Sequence, residues 1–430
     1  MSVHLVSSIE ARDFGAETLR IGDLNGDGAP DLLFVQSVYG SREITCLTAA
    51  TILGDRLWQS GKPSADNGRV YSDLPVQVYD WDGDGVNEVI YIRQAIYAEP
   101  VEYGEEKIRE RATRYEGAAT LVVLDATTGR EKTSFPVPAP ADDALLFADL
   151  TGRGRREDLV IKDRYWNMWG IAHDGRVLWR WEGSPGHYPA VADVDGDGCD
   201  EVFVGYALID HDGRPLWQKE WGDSHQDAAY MARPPGGEWR LLFGNHGLHC
   251  LAVDGTDLWH HPLHEAQHVV VGKYRADSPL QVAVIDRGFP RTPEGKSADL
   301  YLYDLATGRE LWKRRQPPGG WVAACTDIRW SGAGERQDIM VYERGMGQPV
   351  AVYDGDGKIV DEMPVPPEIC STYHSGEGSN PGIHLCYRAD VWGDSREEVI
   401  LAGWKGVRIY ANARPLALPT LYNQTLYTGM

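Results

Sequence analysis

The stretch AVADVDGDGCDEVFVG, residues 190–205, decides the fold. It contains a short apolar strand, an acidic loop with glycines and a second apolar strand, a pattern typical of paired antiparallel strands. The same unit recurs at residues 18–35, 76–92 and 145–161, and in weaker form at 324–342 and 387–403. Segments 228–244 and 268–285 keep the strands but lack the acidic loop. One supersecondary unit is therefore repeated eight times along the chain.

A second unit, a polar turn followed by an aromatic strand, alternates with the first, as in residues 172–181 and 303–314. Together they supply four strands per repeat, at spacings of about 39 to 69 residues, which suits propeller blades. We predict an all-β fold, an eight-bladed β-propeller filling residues 1–430 as a single domain, with 98–117 as an insertion in blade 2. Blade 8 needs an outer strand, from residues 4–10 or from the tail after Arg414. A two-sheet sandwich is the alternative, which eight regular repeats disfavour.

Amino-acid composition limits the partners and the cellular compartment that we expect for this protein. The 430 residues carry 42 basic and 64 acidic side chains, a net charge of −22, which disfavours nucleic acid and anionic membranes as partners. Neither an apolar run near 18 residues nor a secretory signal is visible in the sequence. The six cysteines are scattered, without a CxxC motif, which favours free thiols in a reducing compartment. We therefore expect a cytoplasmic protein.

Three of the acidic loops share one spacing, with oxygen-bearing side chains at i, i+2, i+4 and i+8 and glycine at i+5. Hard oxygen ligands in a tight loop are typical of Ca²⁺ sites, and the glycines permit the turn. The predicted structural Ca²⁺ ligands are Asp23, Asn25, Asp27 and Asp31; Asp80, Asp82, Asp84 and Glu88; and Asp193, Asp195, Asp197 and Glu201. Solvated acidic turns are the alternative. In the 145–161 copy, Arg153 takes the i+4 position, where its guanidinium would replace the cation.

Propeller geometry predicts where the chemistry lies. The start of each first strand and the end of each second strand meet at the mouth opposite the acidic loops, because neighbouring strands are antiparallel. Nine of the thirteen histidines fall between His187 and His268. At these mouth positions we predict catalytic roles for His225, His268, His187 and Tyr188, and substrate binding by Lys162, Arg164, Tyr165, Tyr206, His246, His264, Arg287, Trp321, Arg344 and Lys405. Such a cationic, aromatic cup suits an anionic sugar; simple capping and solvation of the rim is the alternative.

Residues 186–213, 225–232, 266–284 and 389–410 resemble family-11 rhamnogalacturonan lyases and related propeller lyases with FG-GAP-like repeats. The resemblance covers most of residues 140–412. It implies an eight-bladed propeller with bound Ca²⁺ and cleavage of a rhamnose–uronic acid linkage by β-elimination. The family's G-H-G-D-A-x-H-V-G-D segment matches His225 and Asp227, and a second time matches His268. The expected partner is an anionic oligosaccharide or polysaccharide containing uronic acid and rhamnose.

β-Elimination requires the uronate charge to be offset, a base for the C5 proton and an acid for the departing O4. Arg164, Arg287 or a bound Ca²⁺ would offset the charge. His225 and His268 would be base and acid, in either order, with His187, Tyr188 and His246 as the next candidates.

Three other functions remain open. A glycoside hydrolase would need paired carboxylates, for which Asp227, Glu265 and Glu343 are candidates. A non-catalytic, Ca²⁺-dependent carbohydrate-binding propeller would explain the acidic loops but not the histidines. A quinone-dependent dehydrogenase is suggested by the TTGRE and ATGRE turns. A transition-metal site formed by His225, His264 and His268 is a further alternative.

Overall fold

The computed structural model describes residues 2–38, 41–67, 74–94, 117–141, 144–163, 166–220, 225–287, 298–317, 323–332, 335–343, 348–375 and 378–415. These residues form eight four-stranded antiparallel sheets and one two-stranded hairpin. The predicted eight-bladed β-propeller is confirmed. The predicted insertion at 98–117 lies between two strands of blade 2, and all of it but residue 117 is outside the described residues.

Blades 1 to 7 each follow the chain from the inner to the outer strand, whereas blade 8 takes its outer strand from the N-terminus. Blades 1 to 4 are β2 (Thr18–Gly22), β3 (Asp31–Ser37), β4 (Ile44–Ala50) and β5 (Arg56–Gly61); β6 (Val76–Tyr79), β7 (Glu88–Gln94), β8 (Ala119–Asp125) and β9 (Glu131–Val137); β10 (Leu145–Ala148), β11 (Asp158–Lys162), β12 (Asn167–Ile171) and β13 (Val177–Glu182); and β14 (Ala190–Ala192), β15 (Glu201–Phe203), β16 (Ala207–Ile209) and β17 (Pro215–Gln218).

Blades 5 to 8 continue the ring. They are β18 (Ala228–Ala232), β19 (Arg240–Asn245), β20 (Gly247–Leu251) and β21 (Asp257–His261); β22 (Ala266–Gly272), β23 (Gln281–Arg287), β24 (Ala298–Asp304) and β25 (Glu310–Arg315); β26 (Ala323–Ile328), β27 (Asp338–Glu343), β28 (Val350–Tyr353) and β29 (Ile359–Met363); and β32 (Leu385–Ala389), β33 (Glu398–Gly403), β34 (Gly406–Asn412) and β1 (Val3–Glu10). The hairpin β30 (Ser371–Ser375) and β31 (Gly378–Ile383) precedes blade 8.

The N-terminal strand closes the ring. β1 pairs antiparallel with β34, from Val3 opposite Asn412 to Glu10 opposite Gly406. Of the two sequence-based options for the outer strand of blade 8, the structure therefore uses the N-terminal one. The two ends of the chain therefore share one sheet, and this pairing closes the ring.

The core is a ring of eight apolar clusters, each shared by two neighbouring blades. For example, Leu19 and Phe34 of blade 1 pack with Ile400 and Ile409 of blade 8. Because every blade is apolar on both faces, its inner strands appear in the sequence as nearly continuous apolar runs. Removing one blade would expose two such clusters, so the ring is stable only when closed.

Tryptophans of the outer strands fasten neighbouring blades. The Trp217 Nε1–H donates to Val253 O (2.6 Å) in the next blade, and the indole covers Gly255 there. Gly255 has a φ of +82°, and a Cβ at this position would lie 2.9 Å from the indole. Trp58, Trp179, Trp259 and Trp312 make the same contact in their blades. This contact explains the repeated turn–aromatic unit of the sequence without any quinone.

Helical structure in the described residues includes the 3₁₀ turns Arg12–Phe14 and Pro367–Ile369. Within the described ranges there is no helix with the length and apolar character needed to cross a membrane.

Candidate functional site

A cavity of about 640 Å³ lies on the propeller axis. The inner strands β2, β18, β22, β26 and β32 form its wall, and the segment before β14 contributes His187 and Tyr188. Asp227 and His268 line it as well. The mouth predicted from the strand pattern is therefore present, and three of the four predicted catalytic residues line it.

His187, His225 and Asp227 form a cluster in which one nitrogen or oxygen atom of each lies within 4.8 Å of the others. Asp227 Oδ1 is 3.6 Å from His225 Nε2 and 3.8 Å from His187 Nε2. The two imidazole rings meet edge to face, with centroids 5.1 Å apart. Each histidine side chain is about one quarter exposed, whereas that of Asp227 is 6% exposed. Two nitrogen donors and one carboxylate thus face a single point at the cavity mouth.

Buried hydrogen bonds hold the two loops that carry this cluster. Gln226 is fully buried, its backbone carbonyl accepts the His187 N–H (3.0 Å), and its side chain donates to Pro185 O (3.2 Å). Gly186 has a φ of +63°, and a Cβ there would lie 2.4 Å from the Gln226 side chain. The GHY and HQD sequences are thus parts of one packed unit, although they lie about 40 residues apart.

Tyr206 supports the cluster from behind. It is buried, and its hydroxyl donates to the carbonyl oxygen of His225 (3.2 Å) while accepting from Asn245 Nδ2 (3.0 Å). Asn245 also donates to the His225 carbonyl oxygen. The structure therefore places Tyr206, predicted as a substrate-binding residue, in a position that orients His225.

Tyr188 extends across the mouth towards blade 2. It is 44% exposed, and its hydroxyl accepts a long hydrogen bond of 3.4 Å from Gln77 on β6. A tyrosine in this position offers both a ring face and a phenol to a bound sugar.

Two arginines that the sequence analysis missed also line the cavity, Arg20 on β2 and Arg388 on β32. Arg20 donates from Nε to Val76 O (2.7 Å) and from Nη2 to Leu74 O (2.9 Å). Arg388 pairs with Asp327 (2.7 Å) and with Glu397. Because side chains of an inner strand alternate between the two faces of its blade, both of which are mainly apolar, a polar residue in an inner strand was the available signal.

Other predicted substrate-binding residues lie elsewhere. The cavity-lining residues do not include Lys162, His246, His264, Arg287 and Lys405. Lys162 and Arg287 are buried, whereas His246 and His264 are exposed at strand ends and Lys405 packs over the Trp404 ring. Arg164, Tyr165, Trp321 and Arg344 lie outside the described residues.

The acidic loops lie at the opposite end of the axis and are ordered by their own hydrogen bonds. In blade 4, Asp193 accepts the N–H groups of Gly196 (2.6 Å) and Gly198 (3.2 Å). Glu201 is fully buried, and its Oε2 accepts the Val194 N–H (2.7 Å), while its Oε1 is buried without a hydrogen-bond partner. Burial, with a smaller contribution from the neighbouring aspartates, raises the pKa of Glu201 to about 7.

Blade 2 differs because an ammonium group lies among its carboxylates. Lys132 Nζ is 2.7 Å from both Asp82 Oδ2 and Glu88 Oε1, and 3.8 Å from Asp84 Oδ2. Glu88 Oε1 is equivalent to the unpartnered Glu201 Oε1 of blade 4. The sequence analysis predicted that the Arg153 guanidinium would take the place of a metal ion in blade 3, but it pairs with Glu157 at the surface (2.7 Å). The side chain that takes this place is Lys132, in blade 2.

Comparison with known proteins confirms the resemblance to rhamnogalacturonan lyases. Residues 161–236 match the family described as "Rhamnogalacturonan lyase family 11, C-terminal domain", a segment that contains His187, His225 and Asp227. Rhamnogalacturonan endolyase YesW of Bacillus subtilis (strain 168) is 24% identical over 496 residues, covering 97% of this chain and 71% of that protein.

Solved structures agree in fold. The exotype rhamnogalacturonan lyase YesX superimposes with a TM-score of 0.64 at 20% identity, covering 93% of this chain and 72% of that chain. Rhamnogalacturonan lyase YesW gives a TM-score of 0.62 at 20% identity, with coverages of 94% and 73%.

Proposed function

We propose that this protein is a polysaccharide lyase that cleaves a rhamnose–uronic acid linkage of rhamnogalacturonan by β-elimination. The observation that carries the proposal is the cluster of His187, His225 and Asp227 at the mouth of an axial cavity that His268 also lines. The similarity to rhamnogalacturonan lyases supports the same reaction and substrate class.

Positive charge beside the cavity suits a uronate substrate. The Arg20 guanidinium lies at the cavity wall, where the carbonyl oxygens of Val76 and Leu74 accept its hydrogen bonds. Offsetting the substrate carboxylate makes the C5 proton more acidic, because the carbanion-like transition state places more negative charge on that group. We assign this role to Arg20, in place of Arg287, which does not line the cavity.

Proton transfer is assigned to His225 and His268, in an order that we leave open. A neutral imidazole is suited to remove the C5 proton near neutral pH, and an imidazolium or phenol is suited to protonate O4. Tyr188 is the phenol at the mouth. Asp227 and the Tyr206–Asn245 pair would hold His225 in place during both steps.

A divalent cation fits the cluster of His187, His225 and Asp227, whose donor atoms converge within 4.8 Å. Bound there, it would supply further positive charge to the uronate. Two imidazole nitrogens and one carboxylate are a softer donor set than Ca²⁺ usually takes, and they favour divalent ions from the later part of the first transition series. The acidic loops of blades 1 and 4 offer oxygen alone, and we propose structural Ca²⁺ there, supported in blade 4 by the unpartnered Glu201 oxygen.

A hydrolase is the less favoured function. Of the described residues that line the cavity, Asp227 is the single carboxylate, whereas glycoside hydrolysis requires two. Glu265 and Glu343, the other candidates, do not line the cavity, although burial raises the pKa of Glu343 to about 7.

The test is incubation with rhamnogalacturonan oligosaccharides, with ulvan and gum arabic fragments as comparison substrates. A lyase produces an unsaturated uronate that absorbs in the near ultraviolet, whereas a hydrolase produces reducing ends without that absorbance. We expect absorbance with rhamnogalacturonan, and at least a hundredfold loss in His225→Ala. His4→Ala, an exposed histidine on β1, is the matched control and should keep full activity. Reducing ends without absorbance, or an active His225→Ala variant, would contradict the proposal.

We also propose a reducing compartment such as the cytoplasm. All six cysteines are unpaired, and five of them are buried as small apolar groups. The test is to purify the native protein without a reducing agent, denature it and titrate its thiols. A count of six would support the proposal.

A further inference from the structure

The underside of blade 4 brings together a thiol, an imidazole and a carboxylate. Cys199 and Asp197 lie in the acidic loop between β14 and β15, and His211 lies in the turn between β16 and β17. One donor atom of each residue lies within 4.8 Å of the others. His211 Nε2 is 3.7 Å from Asp197 Oδ2. We propose that these three side chains bind a zinc-class divalent cation, at a site separate from the axial cavity.

The donor set decides the class of metal. Thiolate and imidazole ligands favour Zn²⁺ over Ca²⁺, whereas the other positions of the acidic loop offer oxygen alone. Blades 1 and 2 have Ala29 and Val86 at the position of Cys199, so the sulfur ligand is a property of the blade 4 copy. In a tetrahedral zinc site, ligand atoms are separated by roughly 3.3 to 3.8 Å, which small side-chain rotations would achieve here.

Backbone contacts already hold the ligands in place. The Cys199 N–H donates to Asp197 Oδ1 (2.8 Å), which leaves Oδ2 directed towards His211. The carbonyl oxygen of His211 accepts from Trp179 Nε1 of blade 3 (2.7 Å), and the His211 N–H donates to Asp210 Oδ1 (2.8 Å). The metal would therefore tie two loops whose positions neighbouring contacts have set, and little conformational entropy would be lost on binding.

Charge and access also favour a cation. Burial and the carboxylates of Asp197, Asp149, Glu201 and Asp193 raise the pKa of the Cys199 thiol to about 11, and a bound cation would offset this negative charge. Cys199 is half-buried, whereas the other five cysteines are buried, and this difference makes it a selective reporter. Asp197 also belongs to the proposed Ca²⁺ ligands, so its carboxylate would bridge the two ions when both are bound. The zinc proposal does not depend on Ca²⁺ or on lyase activity.

The test uses the folded full-length protein, labelled with a maleimide and analysed by mass spectrometry. We expect Cys199 to be labelled faster than the other five thiols because it is the accessible one, and its labelling to be at least tenfold slower with micromolar Zn²⁺ but not with millimolar Ca²⁺. His211→Asn should abolish the Zn²⁺ protection, while His4→Asn should retain it. Co²⁺ should produce a sulfur-to-metal absorption band in the wild type that is lost in Cys199→Ser.

Equal Zn²⁺ protection in His211→Asn and the wild type would overturn the proposal. So would equal protection by Ca²⁺, since that would mean that ordering of the acidic loop alone shields the thiol. A Cys199 that does not react without metal, or a Co²⁺ complex without the sulfur band, would also reject the site.

Discussion

Replacing Lys132 with methionine tests whether an ammonium group takes the place of a metal ion in blade 2. In the folded protein this group contacts Asp82 and Glu88 at 2.7 Å each, and the Glu88 side chain is 1% exposed. Hydrogen bonds to Asp82 and Glu88 raise the pKa of Lys132 well above its usual value. Methionine keeps most of the aliphatic chain but removes the charge, which leaves Glu88 Oε1 without its cation.

The expected loss of unfolding free energy follows from the burial of the Lys132–Glu88 pair. Removing one partner of a fully buried pair costs about 3–5 kcal/mol, whereas an exposed pair contributes about 0–1 kcal/mol. Glu88 is buried but the Lys132 side chain is 32% exposed, so solvent screens part of the interaction. We therefore expect Lys132→Met to lose about 1–3 kcal/mol of unfolding free energy when Ca²⁺ is chelated.

Added Ca²⁺ should reverse the loss, because the emptied loop has the spacing of oxygen ligands found in blade 4. Binding at a Ca²⁺ concentration one thousand times Kd would restore about 4 kcal/mol. The assay is urea unfolding with EGTA and with Ca²⁺, together with calorimetric titration of the number of Ca²⁺ bound. Lys132→Met should bind one more Ca²⁺ than the wild type.

The matched control is Lys219→Met, which removes an ammonium 2.8 Å from Asp257, a carboxylate that is 64% exposed. It should change stability by less than about 1 kcal/mol and leave the Ca²⁺ count unchanged. A Lys132→Met variant with the stability and Ca²⁺ count of the wild type would refute the reasoning.

Three further predictions concern other parts of the ring. In metal-free protein, the folded-state pKa of Glu201 is about 7, above the usual value of 4.5, so the folded state binds more protons than the unfolded state between these values. The free energy of unfolding should therefore fall as the pH rises from about 4.5 to 7. Glu201→Gln should flatten that part of the curve of unfolding free energy against pH, and it should lower the number of bound Ca²⁺ ions by one. Gly255→Ala, which places a Cβ against Trp217 at a positive φ, should cost about 2–4 kcal/mol in urea unfolding, and a loss below 0.5 kcal/mol would count against the interblade contact. Tyr206→Phe should lower kcat about fivefold with KM nearly unchanged, because it removes one hydrogen bond that orients His225. An unaltered kcat would show that this bond does not orient the histidine.

The structure brings together part of the histidine-rich region that the sequence analysis singled out. His187, His225 and His268 reach the axial mouth, as their positions before or at the start of inner strands indicated. Other members of that region do not: His211 lies on the underside, and His249 and His260 stack on each other in outer strands of blade 5. Proximity along the chain is therefore a poor guide to the site, because successive strands of one blade lead away from the axis.

The amino-acid sequence by itself determined the local features of this protein. Strand alternation, acidic turns and glycine positions depend on neighbours a few residues apart, so the blade pattern, the number of blades and the acidic loops could be predicted. Only the tertiary structure decided which distant side chains meet. Lys132 enters a loop 44–50 residues away, Arg20 and Arg388 share the axial cavity from opposite ends of the chain, and Tyr206 supports His225 from a neighbouring blade. The closed ring sets these contacts, because packing between blades brings together residues that no local pattern connects.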